Sequence, residues 1–393
     1  MRLKQTILLG ISLLSAALPS LRADSEVRLL DVPDYDWYSG CFGTATGNLM
    51  GFWDRHGLPD CYTGPTGGGL APLNTGGANA AIRAMWASQA GVDGRPANKP
   101  GHMDDYYAGY ESTASDPYVT AGRAEHAPDC IGDFIGLSQK KWTNLNSECS
   151  GNIDAYSFVF WDKGGFRRTN FQPTNAIGGP VADIPSGLRA WSQWRGFDAE
   201  VFSQLTDFNS TVPAGRGFTF ANLKAEIDAG YPVLLYLQNF SQYSRSLGGM
   251  TNANPPIHGM LAYGYAEYPA QGVQWVYYRT SWGIGEEFSA WTSATWQAGM
   301  PVRGVIGFHP KPKIRSVVRD NGQITFAWDG PSAVREDAIS ETVTTVHRYQ
   351  LERATSLTAR DWTAVGQPTT ARTVTAPEVA GENSFYRIRL LGP

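Results

Sequence analysis

The chain has 393 residues; 42% are apolar, 17% are charged, and glycine and proline number 44 and 24. That much apolar surface excludes wholesale disorder and is enough to bury the cores of about two or three domains. Lys and Arg number 32 against 36 Asp and Glu, a net charge of −4. This argues against nucleic acid as a partner, which normally requires a basic face. Aromatic residues reach 12%, with 13 tryptophans, a composition that fits flat binding surfaces on exported proteins.

Arg2 and Lys4 precede an apolar run from Ile7 to Leu18. At about 12 residues the run is too short to span a bilayer, and Leu21-Arg22-Ala23 offers a small-residue cleavage site. Residues 1–23 therefore read as a secretory signal peptide, and the product as secreted, periplasmic or attached to the cell surface, with no later membrane span. Export makes disulfides possible among Cys41, Cys61, Cys130 and Cys149. Cys130 and Cys149 lie in one polar stretch and are the first pair to bridge; closing so short a loop would contribute roughly 3 kcal/mol. Cys41 and Cys61 then either pair or remain thiols.

Two helices are legible in residues 24–311. One runs from Cys41 to about His56 and stops at Gly57, with Ala45, Leu49, Phe52 and Trp53 on one face. The other starts at Thr219 or Asn222 and ends at Gly230. A third helix is expected from Ala78 to Ala90. Strands are expected at Pro232–Leu237, Gly259–Tyr265 and Gln274–Arg279. After the linker Pro310-Lys311-Pro312-Lys313 the pattern changes to period-two alternation at 324–328, 348–353 and 385–390. Residues 312–393 thus read as a small fibronectin-like β-sandwich, and 24–311 as an α+β domain.

Chemistry concentrates at Cys41. A glycine-containing loop, Trp37-Tyr38-Ser39-Gly40, delivers this cysteine to the first turn of a helix. Unsatisfied backbone N–H groups and the helix dipole favour a thiolate there and can stabilise an oxyanion. The alternative role is a half-cystine or a small core residue. A nucleophilic cysteine needs a base. His56 lies a helix length away, about 22 Å, which excludes contact. His309 borders the linker, His347 lies in the sandwich, and His102 and His126 lie in polar loops. His258 opens a buried strand after a loop and is the best placed.

Arg279-Thr280-Ser281-Trp282-Gly283 follows His258 by about 21 residues. The order of cysteine helix, histidine strand and Ser-Trp-Gly segment resembles the papain-like cysteine peptidases. Gly40-Cys41 and the segment Leu223–Leu237 are closer to the bacteriocin-leader-processing, double-glycine peptidase-like group. The resemblance covers roughly residues 30–310. It implies a papain-like α+β fold, with Cys41 as nucleophile, His258 as general acid/base and Trp282 shielding the pair from water. Thr280 occupies the position of the Asn or Asp that orients the imidazole. Asp36, with Tyr35 beside it, occupies that of the glutamine serving as oxyanion donor; Tyr35 or Trp37 could donate in its place.

The implied reaction is hydrolysis of a peptide or protein substrate by a monomer, without metal or cofactor. Acyl transfer to an amine is a related outcome. A different class also fits: a non-catalytic binding module with Cys41 bonded to Cys61. A carboxylate-based glycan hydrolase is the remaining alternative. Gly64–Gly69 lacks the context of a phosphate loop, and Asp104-Asp105 reads as solvated. Asp54, Arg55 and Asp60 are expected to form surface ion pairs.

Overall fold

The apolar run after Cys41 forms helix α1 (Cys41–Arg55), ended by Gly57 at a φ of 101°. The computed structural model describes residues 23–36, 41–62, 69–74, 131–135, 159–173, 183–209, 212–237, 243–247, 250–253, 258–283, 285, 287–292, 301–379 and 383–392. The helix expected at Ala78–Ala90 and the bridge expected between Cys130 and Cys149 lie outside them, as does the segment 1–22. Instead of one buried face, α1 is buried on every side from Phe42 to Asp54. Asp54 is accordingly no surface ion-pair residue. It is 2% exposed, and its carboxylate accepts the N–H groups of Tyr62 (3.1 Å) and Ala71 (2.9 Å). Those bonds pin the chain that returns after the helix, and they satisfy a buried charge that would otherwise be costly.

Ten antiparallel strands make the main sheet. They are β1 (Ser25–Leu29), β3 (Arg168–Thr169), β4 (Ala199–Leu205), β5 (Val233–Leu237), β8 (His258–Tyr268), β9 (Val273–Arg279), β10 (Glu287–Ala290), β11 (Val302–Pro310), β14 (Val334–Asp337) and β15 (Thr342–Thr345). The order is β15-β14-β1-β8-β5-β11-β4-β3, with β9 also on β8 and β10 on β9. The long strand β8 organises it. One edge of β8 pairs first with β5, from Leu237↔His258 to Val233↔Ala262, and then with β1, from Arg28↔Gly264 to Ser25↔Glu267. Its other edge pairs with β9. The strands β2 (Phe160–Asp162), β6 (Tyr243–Leu247) and β7 (Met250–Ala253) form a small separate sheet.

Three further helices are described: α2 (Ile131–Ile135), α3 (Ile184–Trp194) and α4 (Phe220–Asp228). Helix α4 starts from a Thr219–Asn222 capping box and is followed by Gly230 at a φ of 84°, close to the expected bounds. Helix α3 was not anticipated; Asp183 caps it, accepting the Ser186 N–H, and Pro185 occupies its first turn.

Beyond residue 312 two three-stranded sheets face each other. They are β12 (Lys313–Asp320), β13 (Gln323–Asp329) and β18 (Thr373–Pro377), and β17 (Thr363–Thr369), β16 (Arg348–Ala354) and β19 (Phe385–Leu391). Ile324, Phe326 and Trp328 alternate inward from β13 and meet Tyr349, Leu351 and Ala376. The molecule is therefore mixed α+β with antiparallel sheets, and its C-terminal part is a sandwich. The hairpin β14–β15 leaves that sandwich, however, and extends the main sheet by pairing with β1 (Val27↔Asp337, Leu29↔Arg335). The boundary expected at 312 is thus crossed by the sheet itself.

The seam is held at the end of α1. The Gly57 carbonyl accepts the Gly330 N–H (2.9 Å) and Arg372 Nη1 (2.9 Å), and the His56 carbonyl accepts the Ser332 N–H (2.8 Å). His347 is buried there against Trp53 and Tyr231, at ring distances of 6.0 and 5.1 Å. Its Nδ1 accepts the Ala333 N–H at 3.1 Å, and its Nε2 has no partner among the described residues. Burial, reinforced by His56 and His309, pulls its pKa down to about 3, and burial also lowers that of His56.

A histidine whose folded pKa is depressed gives its full stability above its unfolded value, near 6.5, and loses it progressively as pH falls toward the folded value. His347 alone should therefore cost about 2 kcal/mol of stability between pH 7.5 and 5. Urea unfolding of the wild type and His347→Gln at the two pH values checks this: the variant should lack that share of the pH dependence.

Candidate active site

The sequence places Cys41 and His258 more than 200 positions apart, and the topology brings their neighbourhoods together. Cys41 is the first residue of α1 and is half-buried; His258 is the first residue of β8 and is fully buried. The residues next to them touch. A methyl built on Gly259 would lie 2.5 Å from Phe42 Cδ1, so only glycine allows the Phe42 ring to lie flat on the strand. The same ring packs on Tyr236, at 5.0 Å between centroids, and Tyr236 is the register partner of Gly259. The N-terminus of the cysteine helix is thereby seated at the end of the sheet where the histidine strand begins.

His258 lies beneath Trp282. The two rings stack at 3.9 Å with an interplanar angle of 26°, and Trp282 itself is 46% exposed. Neither imidazole nitrogen has a hydrogen-bond partner among the described residues. Burial lowers the pKa to about 4; the backbone of Thr280 opposes this in smaller measure, without reaching hydrogen-bond geometry. At neutral pH the ring is therefore neutral, the form that can accept a proton.

Trp282 is held by its own turn. Thr280 Oγ1 accepts the Trp282 N–H at 3.1 Å and lies 3.4 Å from the Gly283 carbonyl, while Ser281 takes a φ of 62°. The Thr280 hydroxyl thus serves the turn and does not reach the His258 ring. Ser281 is fully buried with its hydroxyl unpartnered among the described residues.

The remaining sequence-selected residues are spread out. Tyr35 points into the core: its N–H donates to Asn48 Oδ1 (2.9 Å), its ring stacks on Tyr62, and its phenol crowds Gly51. Gly51 lies ten residues beyond Cys41, roughly 15 Å along the helix, so the phenol does not reach the cysteine. Asp36 is half-buried and acts through space on Asp34. Trp37 lies outside the described residues. Cys41 and Cys61 are both thiols. Cys61 Sγ sits 3.8 Å from Met50 Sδ, nine helical positions or roughly 13 Å from Cys41, which precludes the bridge between them. Burial pushes the Cys61 thiol far up, which makes it inert. His309 contacts Glu226 and His56 donates to the Leu30 carbonyl (3.0 Å), so each serves the core.

Sequence reasoning passed over Asp34, which is 5% exposed. Its Oδ2 accepts the Gly285 N–H (2.6 Å) and lies 3.6 Å from Arg279 Nη1. It ties the segment leading into Cys41 to the turn that carries Trp282. No local signal marks it, because its partners are some 250 positions away. Among the described residues no group of His, Cys, Asp or Glu is arranged to hold a metal, and no helix is long and apolar enough to cross a membrane.

Compared with known proteins, the chain matches no family model, no curated protein and no solved structure.

Two outcomes are expected from this geometry. Trp282→Ala uncovers His258, and its pKa should rise from about 4 toward 6.5, read from the imidazole C–H resonances in an NMR pH titration. Gly259→Ala drives a methyl into Phe42 and should cost about 1–3 kcal/mol in urea unfolding.

Proposed function

We propose that the protein is an exported cysteine peptidase of papain-like architecture, with Cys41 as nucleophile and His258 as general acid/base. The observation carrying this reading is the seating of Phe42 on Gly259, which sets the cysteine-bearing helix terminus against the start of the histidine strand. A helix N-terminus leaves backbone N–H groups unsatisfied, and these suit the oxyanion of an attacked carbonyl. His258 is neutral at physiological pH and buried, with both nitrogens uncommitted among the described residues. It takes the thiol proton as sulfur attacks the peptide carbonyl and returns it to the departing amine. Water then cleaves the thioester, with the same imidazole as base. Trp282 limits solvent access to the ring. The basic, apolar N-terminal segment supports export, and the substrate is accordingly an extracellular or envelope peptide.

One observation favours a second reading, a papain-like binding module without activity. Thr280 is engaged in its own turn, which leaves the imidazole without an orienting side chain among the described residues. The thiol state of Cys41 and Cys61 weighs against the disulfide version of that reading.

Alkylation separates the two. Iodoacetamide on the native, non-reduced protein at pH 7, followed by peptide mapping, should label Cys41 at least tenfold faster than Cys61. His258→Ala should slow the labelling of Cys41 at least tenfold. Unreactive Cys41, or labelling indifferent to His258, would retire the peptidase reading.

A further inference from the structure

Beside the Thr280–Trp282 turn lies an open cleft of about 400 Å³. Asp34 and Arg279 form its floor, Val32 and Leu73 give it apolar wall, and Asp31 stands at its rim. Asp34 is 5% exposed, and its Oδ1 has no hydrogen-bond partner among the described residues. A buried carboxylate oxygen left in that state is costly unless a donor reaches it.

Arg279 does not fill that role. Its Nη2 donates to the Val32 carbonyl (3.1 Å), its Nη1 faces Asp34 Oδ2, and its guanidinium lies 4.7 Å from the centre of the Tyr263 ring. Arg55 donates to the Ala71 carbonyl and lies a loose 3.8 Å from Asp31. Asp36 and Glu287 act on Asp34 through space as further negative charges. Leu73 is 40% exposed and supplies an apolar surface for an alkyl chain.

We propose that this cleft binds a cationic side chain of a peptide, lysine or arginine, with its charged head drawn toward the Asp34 carboxylate and its alkyl stem along the exposed Leu73. Long basic side chains combine an apolar stem with a charged tip and suit such a site. Asp34 also ties the segment leading to Cys41 to the turn carrying Trp282, so a peptide held here lies beside the turn that covers His258. As a determinant of substrate choice the cleft rests on the peptidase reading; as a binding site it does not.

Ligand-observed NMR titrations on the full chain carrying Cys41→Ala, which prevents turnover, test this with three probes: the Nα-acetyl methylamides of lysine, norleucine and glutamate. The lysine probe should bind at least tenfold more tightly than the other two. Asp34→Asn should weaken it at least tenfold. Should that variant fail to fold, Leu73→Lys, a change at an exposed position, should weaken it by a similar factor through a competing cation. Norleucine or glutamate binding as tightly as lysine, no lysine binding, or lysine binding unchanged in a folded variant would overturn the proposal. Because binding is read without the thiol, its failure is distinguishable from a failure of Cys41 to react.

Discussion

The ring of Phe42 occupies the space that a side chain on Gly259 would need, and the rest of the site depends on that contact. Any larger residue would lift the first turn of α1 off the sheet. The same turn starts at Cys41, and the same strand starts at His258. One aromatic-on-glycine contact, braced by Tyr236 on the neighbouring strand, thereby sets the spacing of two residues that chain connectivity leaves independent. Burial of α1 on all sides makes the seat rigid, because a helix without a solvated face has no direction in which to slide without opening a void.

Burial fixes the charge state of His258. A histidine in water is partly protonated near neutrality, and that protonated fraction cannot accept a proton. Beneath Trp282 and on a buried strand, the charged form is penalised, and the ring is kept neutral across the physiological range. The arrangement has a cost in orientation, since the hydroxyl of Thr280 closes its own turn. Ring position is therefore set by stacking on Trp282 and by the strand, in place of a hydrogen bond from a neighbouring side chain.

The C-terminal part contributes to the same framework. Its sandwich has its own small core, yet its hairpin lengthens the main sheet through β1, and β1 runs along the edge of β8 behind the histidine. Gly57, which must adopt a left-handed conformation to end α1, also presents the carbonyl on which Gly330 and Arg372 dock. The end of the cysteine helix and the attachment of the sandwich are thus one structural event. His347 is sealed inside that seam, which couples the integrity of the joint to pH.

Local pattern was sufficient for the elements with strong punctuation. Gly57 and Gly230 mark helix ends because only glycine enters the left-handed region without strain, Thr219 and Asn222 cap each other, and the alternation of Ile324, Phe326 and Trp328 identifies a strand with one buried face. The cysteine helix and the histidine strand were legible for the same reason. What composition and periodicity could not disclose were long-range pairings. The hairpin at 334–345 is short and polar, and its first strand is only half-buried, so nothing in it announces that it joins a sheet begun at residue 25. Asp54 looks like a surface charge beside Arg55 until the returning chain places two backbone N–H groups on it. Asp34 has no motif at all, and its significance arises from a turn some 250 positions away. The sequence by itself determined the strongly punctuated helices and strands and which residues have the chemistry to act. Only the tertiary structure decided which of them meet, because burial and contact depend on surfaces contributed by distant parts of the chain.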